Sequence, residues 1–105
     1  IHLDQTLDGE RWSIRGILGH IADAGWWYLD RLGLSGCAKS TLPADEFERL
    51  RQVRERMLAV LPDMSGRPDV INVDEETWSA RKLLRRATWH EKDHIQHILR
   101  LMTLL

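Results

Sequence analysis

His90 and His94 lie four residues apart near the C-terminal end of the chain, within Trp89-His-Glu-Lys-Asp-His94. On an α-helix, residues i and i+4 project from the same face about one turn apart, so two imidazoles at this spacing can bind one cation. His20 lies in a similar apolar stretch near the other end. A facing helix could bring it to the same point. Three neutral imidazoles with an open position are the ligand set of a reactive divalent metal site.

A competing interpretation treats each histidine as a polar residue of the core that finds a hydrogen-bond partner. For His20 alone this interpretation is favoured. Two imidazoles one turn apart are costly to bury unpaired, so His90 and His94 weaken it, and the three together favour a metal site. Gly16 and Gly19 lie close to His20, which predicts either a close helix approach or room for a bound group.

Several polar residues near the histidines are candidates for supporting roles. Asp93 and Glu91 could orient an imidazole through its second nitrogen, although for Glu91 a solvated surface charge is favoured. Asp23, three residues after His20, is a candidate fourth ligand or general base. The candidate catalytic residues are therefore Asp23 and Asp93. His97 is left open as a fourth ligand, a residue that supports a ligand, or a surface residue.

Two other metal centres share part of this spacing. Glu91-Lys-Asp-His94 matches the Glu-x-x-His motif of di-iron bundles, and His90-Glu-x-x-His94 matches the motif of zinc peptidases. Di-iron bundles need a second such motif and further inward glutamates, which the first predicted helix lacks. Zinc peptidases need a third ligand downstream and a substrate-binding strand. Neither centre is therefore predicted.

Three helices are expected to position these residues, over about 13–33, 44–61 and 79–104, after a leader at 1–12. Apolar residues recur at intervals of three and four within each span, as on a buried helix face. Gly33 is expected to stop the first helix and Pro62 the second. The connection after Pro62 is rich in Pro, Gly and Asp, and we expect it to be extended without strands.

Two of the predicted helices begin with the same local pattern. Trp12-Ser13-Ile-Arg recurs as Trp78-Ser79-Ala-Arg. A serine hydroxyl accepts a hydrogen bond from an otherwise unpaired backbone N–H, so both serines are expected to be N-caps. The preceding tryptophans are expected to pack on the first turns of their helices. We expect Trp89 and the pair Trp26-Trp27 to lie in the core.

Composition limits the class of protein. The 105 residues fit one domain, and 15 basic against 16 acidic residues give a charge of -1, without the basic excess of nucleic-acid-binding proteins. The single Cys37 excludes an internal disulfide and fits a reducing compartment. No apolar run approaches the roughly 18 residues of a membrane span, and no signal peptide is visible. We expect an all-α cytoplasmic protein with a small-molecule substrate and no nucleic-acid or membrane partner.

The stretches Trp12-Ser-Ile-Arg-Gly-Ile-Leu-Gly-His-Ile-Ala-Asp-Ala24 and Leu84-Arg-Arg-Ala-Thr-Trp-His-Glu-Lys-Asp-His-Ile95 resemble the DinB-like superfamily. This superfamily is also described as damage-inducible or YfiT-like metal-dependent hydrolases. The resemblance implies an up-and-down four-helix bundle with one histidine on its second helix and a His-x-x-x-His pair on its last. It therefore implies His20, His90 and His94 as the metal ligands. It also implies that the first helix of the family is missing from this sequence, which would then be N-terminally incomplete.

The resemblance also carries expectations about activity. Members include thiol transferases that use bacillithiol and maleylpyruvate isomerases that use mycothiol, and their metal is usually zinc or nickel. A low-molecular-weight thiol is thus an expected cofactor, and Arg81 or Arg85 is a candidate to receive its carboxylate. The alternatives are a non-catalytic metal-binding module linked to stress, a dimerisation domain, and a purely structural domain. A homodimer is one possible assembly, since a partner subunit could cover apolar surface left open by the missing helix.

Overall fold

The computed structural model of the protein describes residues 3–64 and 70–104. Its elements, in chain order, are α1 (Ile14–Arg31), a short 3-10 turn (Lys39–Thr41), α2 (Glu46–Met64), β1 (Val70–Val73), β2 (Glu76–Ser79) and α3 (Ala80–Leu104). The three helices confirm the predicted all-α class, to which the two short strands are a minor addition. In the part of the chain described, no helix combines the length and apolar character that crossing a bilayer requires.

The serine caps begin α1 and α3 as predicted. The Ser13 hydroxyl accepts a hydrogen bond from the Gly16 amide at 3.1 Å. The Ser79 hydroxyl accepts one from the Lys82 amide, also at 3.1 Å. Each cap satisfies a backbone donor that the first helical turn leaves unpaired, which is worth about 1 kcal/mol. These caps stabilise the starts of the two helices that carry the histidines.

The predicted end of α2 at Pro62 is wrong, because the helix continues to Met64. Proline lacks an amide hydrogen and disfavours a helix interior. Pro62 is exposed in the last turn. Met64 is only 3% exposed and belongs to the same core cluster as Leu29 and Trp78. Burying a methionine side chain contributes about 1.5–3 kcal/mol, which offsets the unfavourable proline.

The expectation of a strandless connection before α3 is also wrong. Strands β1 and β2 pair antiparallel, with Val73 opposite Glu76. The turn uses Asp74 and Glu75, at φ 51° and 65°. Two successive residues of positive φ match the right-handed twist of a tight hairpin. Trp78 in β2 is 1% exposed and anchors this hairpin in the core. Residues 65–69 of the connection lie outside the described residues.

The buried apolar residues form two clusters. The first combines α1, α2, the hairpin and the start of α3, and consists of Leu29, Leu32, Val60, Met64, Trp78, Ala80 and Leu83. The second joins the start of α1 to the end of α3, and consists of Ile14, Ile17, Ile21 and Leu101. Leu3 and Leu7 of the predicted leader pack against the second cluster. The leader is therefore part of the packed structure from residue 3 onward.

Helix α1 packs against both α2 and α3, which make few direct contacts with each other. Glycines allow the approach of α2. A Cβ at Gly19 would lie 3.1 Å from Glu46 Cγ, and one at Gly25 would lie 2.9 Å from Val53 Cγ1. The close helix approach predicted near His20 is thus confirmed, because the space beside Gly19 is taken by α2.

Tryptophan burial departs from the expectation of a core position. Trp89 is 73% exposed and Trp27 is 40% exposed. Trp26 is half-buried and donates its indole N–H to the Cys37 carbonyl at 3.0 Å. Trp89 follows Thr88 on the outer side of α3, one residue before the inward-facing His90, so the helical rotation of about 100° per residue turns it outward.

Candidate metal centre

The three histidines predicted as metal ligands converge at the interface of α1 and α3. One ring nitrogen from each of His20, His90 and His94 lies within 4.8 Å of the other two. The Nε2 atoms of His20 and His90 are 3.1 Å apart. The geometry that the spacing predicted is therefore present, and binding of a cation by these three residues stays a prediction.

The rings are arranged as a compact triangle. Their centroids are separated by 4.9 Å for His20–His90, 4.7 Å for His20–His94 and 4.4 Å for His90–His94. Nitrogens bound tetrahedrally to zinc at 2.0–2.1 Å are about 3.3 Å from one another. The Nε2 atoms of His20 and His90, 3.1 Å apart, already stand near this separation.

The environment favours neutral imidazoles, which are the ligand form. Burial is the largest effect that lowers the pKa of His20, followed by the charge of His94 and, more weakly, that of Arg11, against an opposing effect of Asp23. Burial likewise lowers the pKa of His90, followed by the charges of His94 and His20. A neutral imidazole offers a lone pair, so both residues are available as ligands at neutral pH.

His94 provides a test of whether the residues fit a cation. Its Nδ1 is buried and has no hydrogen-bond partner among the residues described. A buried polar atom without a partner costs about 1–3 kcal/mol. The ring that carries this unpaired nitrogen lies 4.7 Å from the ring of His20 and 4.4 Å from that of His90, so the donor set fits a cation.

Trp12 forms one wall of the site and was not identified from the sequence as part of it. Its ring stacks on His20, with centroids 4.7 Å apart and planes at 26°, and lies 6.2 Å from the ring of His94. The Arg11 guanidinium lies 4.7 Å from the Trp12 ring. A Cβ at Gly16 would be 3.2 Å from Trp12 Cβ, so glycine leaves room for the indole. Two features of the sequence could have indicated this role for Trp12: its position just before the Ser13 cap, and the glycine at position 16 in the first turn of α1.

His97 lies on α3 about one turn after His94, but it contacts a residue outside the histidine triangle. Its Nε2 is 2.7 Å from a carboxylate oxygen of Glu10, and both side chains are 23% exposed. Among residues 3–64 and 70–104, the group able to hold a cation contains the three predicted histidines without His97. Of the three roles left open for His97, the structure does not support that of a fourth ligand. The contact of His97 with Glu10 instead joins the N-terminal segment to α3.

The predicted catalytic carboxylates do not join the histidine triangle. Asp23 forms an ion pair with Arg49 at 3.2 Å. Asp93 is exposed on α3. It is near enough to His90 to raise the pKa of that residue slightly against the effect of burial. Glu91 forms an ion pair with Arg54 of α2 and so is not an unpaired surface charge. Catalytic roles for Asp23 and Asp93 stay predictions.

The two arginines predicted to bind a carboxylate are both exposed on α3. Arg85 lines a shallow depression on the outer side of the helix together with Trp89 and Lys92. Neither Arg81 nor Arg85 lines the cavity that contains His90 in its wall. A role for them in binding a thiol cofactor stays a prediction.

A cavity of about 180 Å³ opens beside His90, between the three helices. Its lining includes Ile21, Tyr28, Leu50, Val53, Met57, Ala87 and His90. The ring centroid of Tyr28 is 5.9 Å from that of His90. A small molecule in this space would therefore be next to the histidine triangle.

Comparison with known proteins agrees with this architecture. A family model described as the DinB superfamily matches residues 2–98. No curated protein and no solved structure matches the chain. The matched span includes all three histidines and most of α3. The chain therefore belongs to the DinB superfamily.

Proposed function

We propose that the protein binds a divalent cation through His20, His90 and His94 and acts on a small molecule as a metal-dependent thiol transferase or hydrolase. The observation that carries the proposal is the convergence of three ring nitrogens within 4.8 Å of one another. The unpaired Nδ1 of His94 supports it. Zinc or nickel is the metal that the family resemblance implies, and imidazole is a suitable ligand for both.

A cation held by three imidazoles would supply Lewis acidity and lower the pKa of a bound thiol or water. The protein would contribute position and environment. Trp12 restricts the rotation of His20 by stacking on it. Burial keeps the His90 imidazole neutral by lowering its pKa. The adjoining cavity brings a small molecule to the site. We place this activity in the cytoplasm, where thiols such as that of Cys37 stay reduced.

Elemental analysis of the purified protein tests the metal site. We expect about one divalent ion per chain in the wild type and loss of that ion in a His20→Ala/His94→Ala double variant. His97→Ala is the matched control, because it removes a neighbouring histidine that pairs with Glu10. Unchanged metal content in the double variant would refute the site.

A second experiment tests catalysis. Metal-loaded protein is presented with low-molecular-weight thiols and 1-chloro-2,4-dinitrobenzene, and separately with 4-nitrophenyl acetate. We expect turnover that disappears on chelation and in the double variant, and returns when the wild type is reloaded. Stoichiometric metal without turnover across a broad panel would instead support a non-catalytic metal-binding module.

One observation favours association as a second function. The exposed side of α3 carries Ile95, Leu99 and Met102, which are 41%, 56% and 60% exposed. Their spacing of four and three residues places them on one face of the helix. An apolar face of this kind is typical of a surface that contacts another protein. We infer that a second copy of the chain covers it.

A further inference from the structure

We propose that the cavity beside His90 is the substrate pocket and selects a molecule carrying an uncharged apolar group about the size of one aromatic ring. The inference rests on the proposed function, because the reacting atom of that molecule would face the histidine triangle. It concerns the substrate class, which neither the family match nor the histidine cluster specifies.

The walls of the cavity are mostly apolar and favour binding of an apolar group. Ile21 of α1, Val53 of α2 and Ala87 of α3 line it. Arg54 and Glu91 are the charged residues in its lining, and they form an ion pair with each other. A charged ligand would have to compete with that pair, whereas an apolar group is favoured by about 25 cal/mol for each Å² it removes from water.

The size of the cavity limits the occupant. Its volume is about 180 Å³. Apolar protein cavities of roughly 150 Å³ bind benzene. A phenyl ring or a branched chain of similar bulk therefore fits, whereas a folded peptide segment or a polymer does not. The occupant is therefore a small molecule, or one substituent of a small molecule.

The position of the cavity connects this apolar group to the chemistry. His90 is in its wall, and the Nε2 of His90 is 3.1 Å from that of His20. Tyr28 also lines the cavity, and its hydroxyl makes no hydrogen bond in the part of the chain that the structure describes. A ligand with an apolar body and one polar atom would fill the cavity with its body and place the polar atom near His90 and the Tyr28 hydroxyl.

Toluene binding to the metal-free protein, measured by ligand-observed NMR, tests the pocket without relying on the metal. Ala87→Phe would fill the space, and Ala87→Leu would fill part of it. Thr88→Phe is the matched control, because Thr88 is exposed on the outer side of α3. We expect toluene affinity to fall at least about tenfold in Ala87→Phe, less in Ala87→Leu, and not in Thr88→Phe.

The same variants are then loaded with cobalt and titrated with phenylmethanethiol and with 2-mercaptoethanol. We expect the wild type to prefer the aromatic thiol by about tenfold, and Ala87→Leu to reduce that preference with cobalt content unchanged. Equal toluene affinity in the wild type and both Ala87 variants would overturn the pocket. If Ala87→Phe does not fold, the comparison of Ala87→Leu with the wild type decides. Absence of cobalt binding with intact toluene binding would defeat the metal proposal and leave the pocket standing.

Discussion

Burial of two imidazoles links the metal centre to the pH response of the protein. Both His20 and His90 have a pKa lowered below the ordinary 6.5, chiefly because burial disfavours the charged form. The unfolded chain exposes the same groups with ordinary pKa values, so it binds more protons than the folded protein at mildly acid pH. Protonation therefore favours unfolding, and stability contributed by these residues decreases as pH falls.

We predict that the metal-free protein loses stability as pH falls from about 6.5 toward the lowered pKa values of the two histidines. Urea unfolding followed by circular dichroism between pH 8 and 5, in the presence of a chelator, measures this. A His20→Asn/His90→Gln variant should show a shallower dependence, because it lacks both groups. Parallel curves for the variant and the wild type would contradict the assignment.

Stacking of Trp12 on His20 is expected to matter for metal affinity. Residues that orient a ligand typically account for 10–100-fold of metal affinity. We predict that Trp12→Ala weakens zinc binding by roughly tenfold, whereas Trp12→Phe retains most of it because a phenyl ring can still stack. Competition with a chromophoric chelator measures both. Trp89→Ala, at a side chain 73% exposed, is the control. An equal loss in Trp12→Phe would show that stacking is not the cause.

At the level of the helices, sequence reasoning succeeded where the determinants are local. The serine caps and the four-residue spacing of His90 and His94 are set within one or two turns, and the structure has both. The end of α2 was missed because Met64 is held by distant residues of the core rather than by its neighbours in the chain. Trp12 was missed for a different reason, because the pattern before the Ser13 cap indicated packing on the first turn and gave no sign that the indole stacks on His20.

The approach of α2 to α1 depends on the missing side chain of Gly25. Alanine there would gain about 1 kcal/mol of helix propensity. Its Cβ would meet Val53 Cγ1 at 2.9 Å, and overpacking of this kind costs about 1–3 kcal/mol. We predict net destabilisation of up to about 2 kcal/mol for Gly25→Ala in urea unfolding.

A double-mutant cycle separates this clash from other effects. Val53→Ala alone should destabilise by deleting buried methyl groups, because Val53 is only 5% exposed. In the Gly25→Ala/Val53→Ala variant the methyl group added at position 25 occupies part of the space left by the two methyl groups removed at position 53, so the loss should be smaller than the sum of the single losses. Additive losses would show that the two side chains do not meet.

Across the whole molecule, α1 is the central helix, and the sides of α2 and α3 that point away from α1 face outward. Leu58 of α2 is 66% exposed, and Leu99 and Met102 of α3 are 56% and 60% exposed. A single exposed apolar residue such as Leu58 is ordinary. On α3, however, Ile95, Leu99 and Met102 recur at helical spacing and form a continuous apolar face. The histidine triangle faces α1, away from this surface, so association and metal binding are separable properties.

We predict that the wild type self-associates at micromolar concentration and that Leu99→Glu shifts it toward the monomer. A carboxylate at the centre of an apolar contact would be desolvated without a partner, which is unfavourable. Because Leu99 is largely exposed in the single chain, the substitution should change the free energy of unfolding of the monomer by no more than about 0.5 kcal/mol. Sedimentation equilibrium measures the association, with Ala59→Glu on the exposed side of α2 as a control of equal charge. If both variants associate as the wild type does, the α3 face is not the contact surface. If Leu99→Glu is monomeric and still binds metal, association and metal binding are carried by different faces of α3.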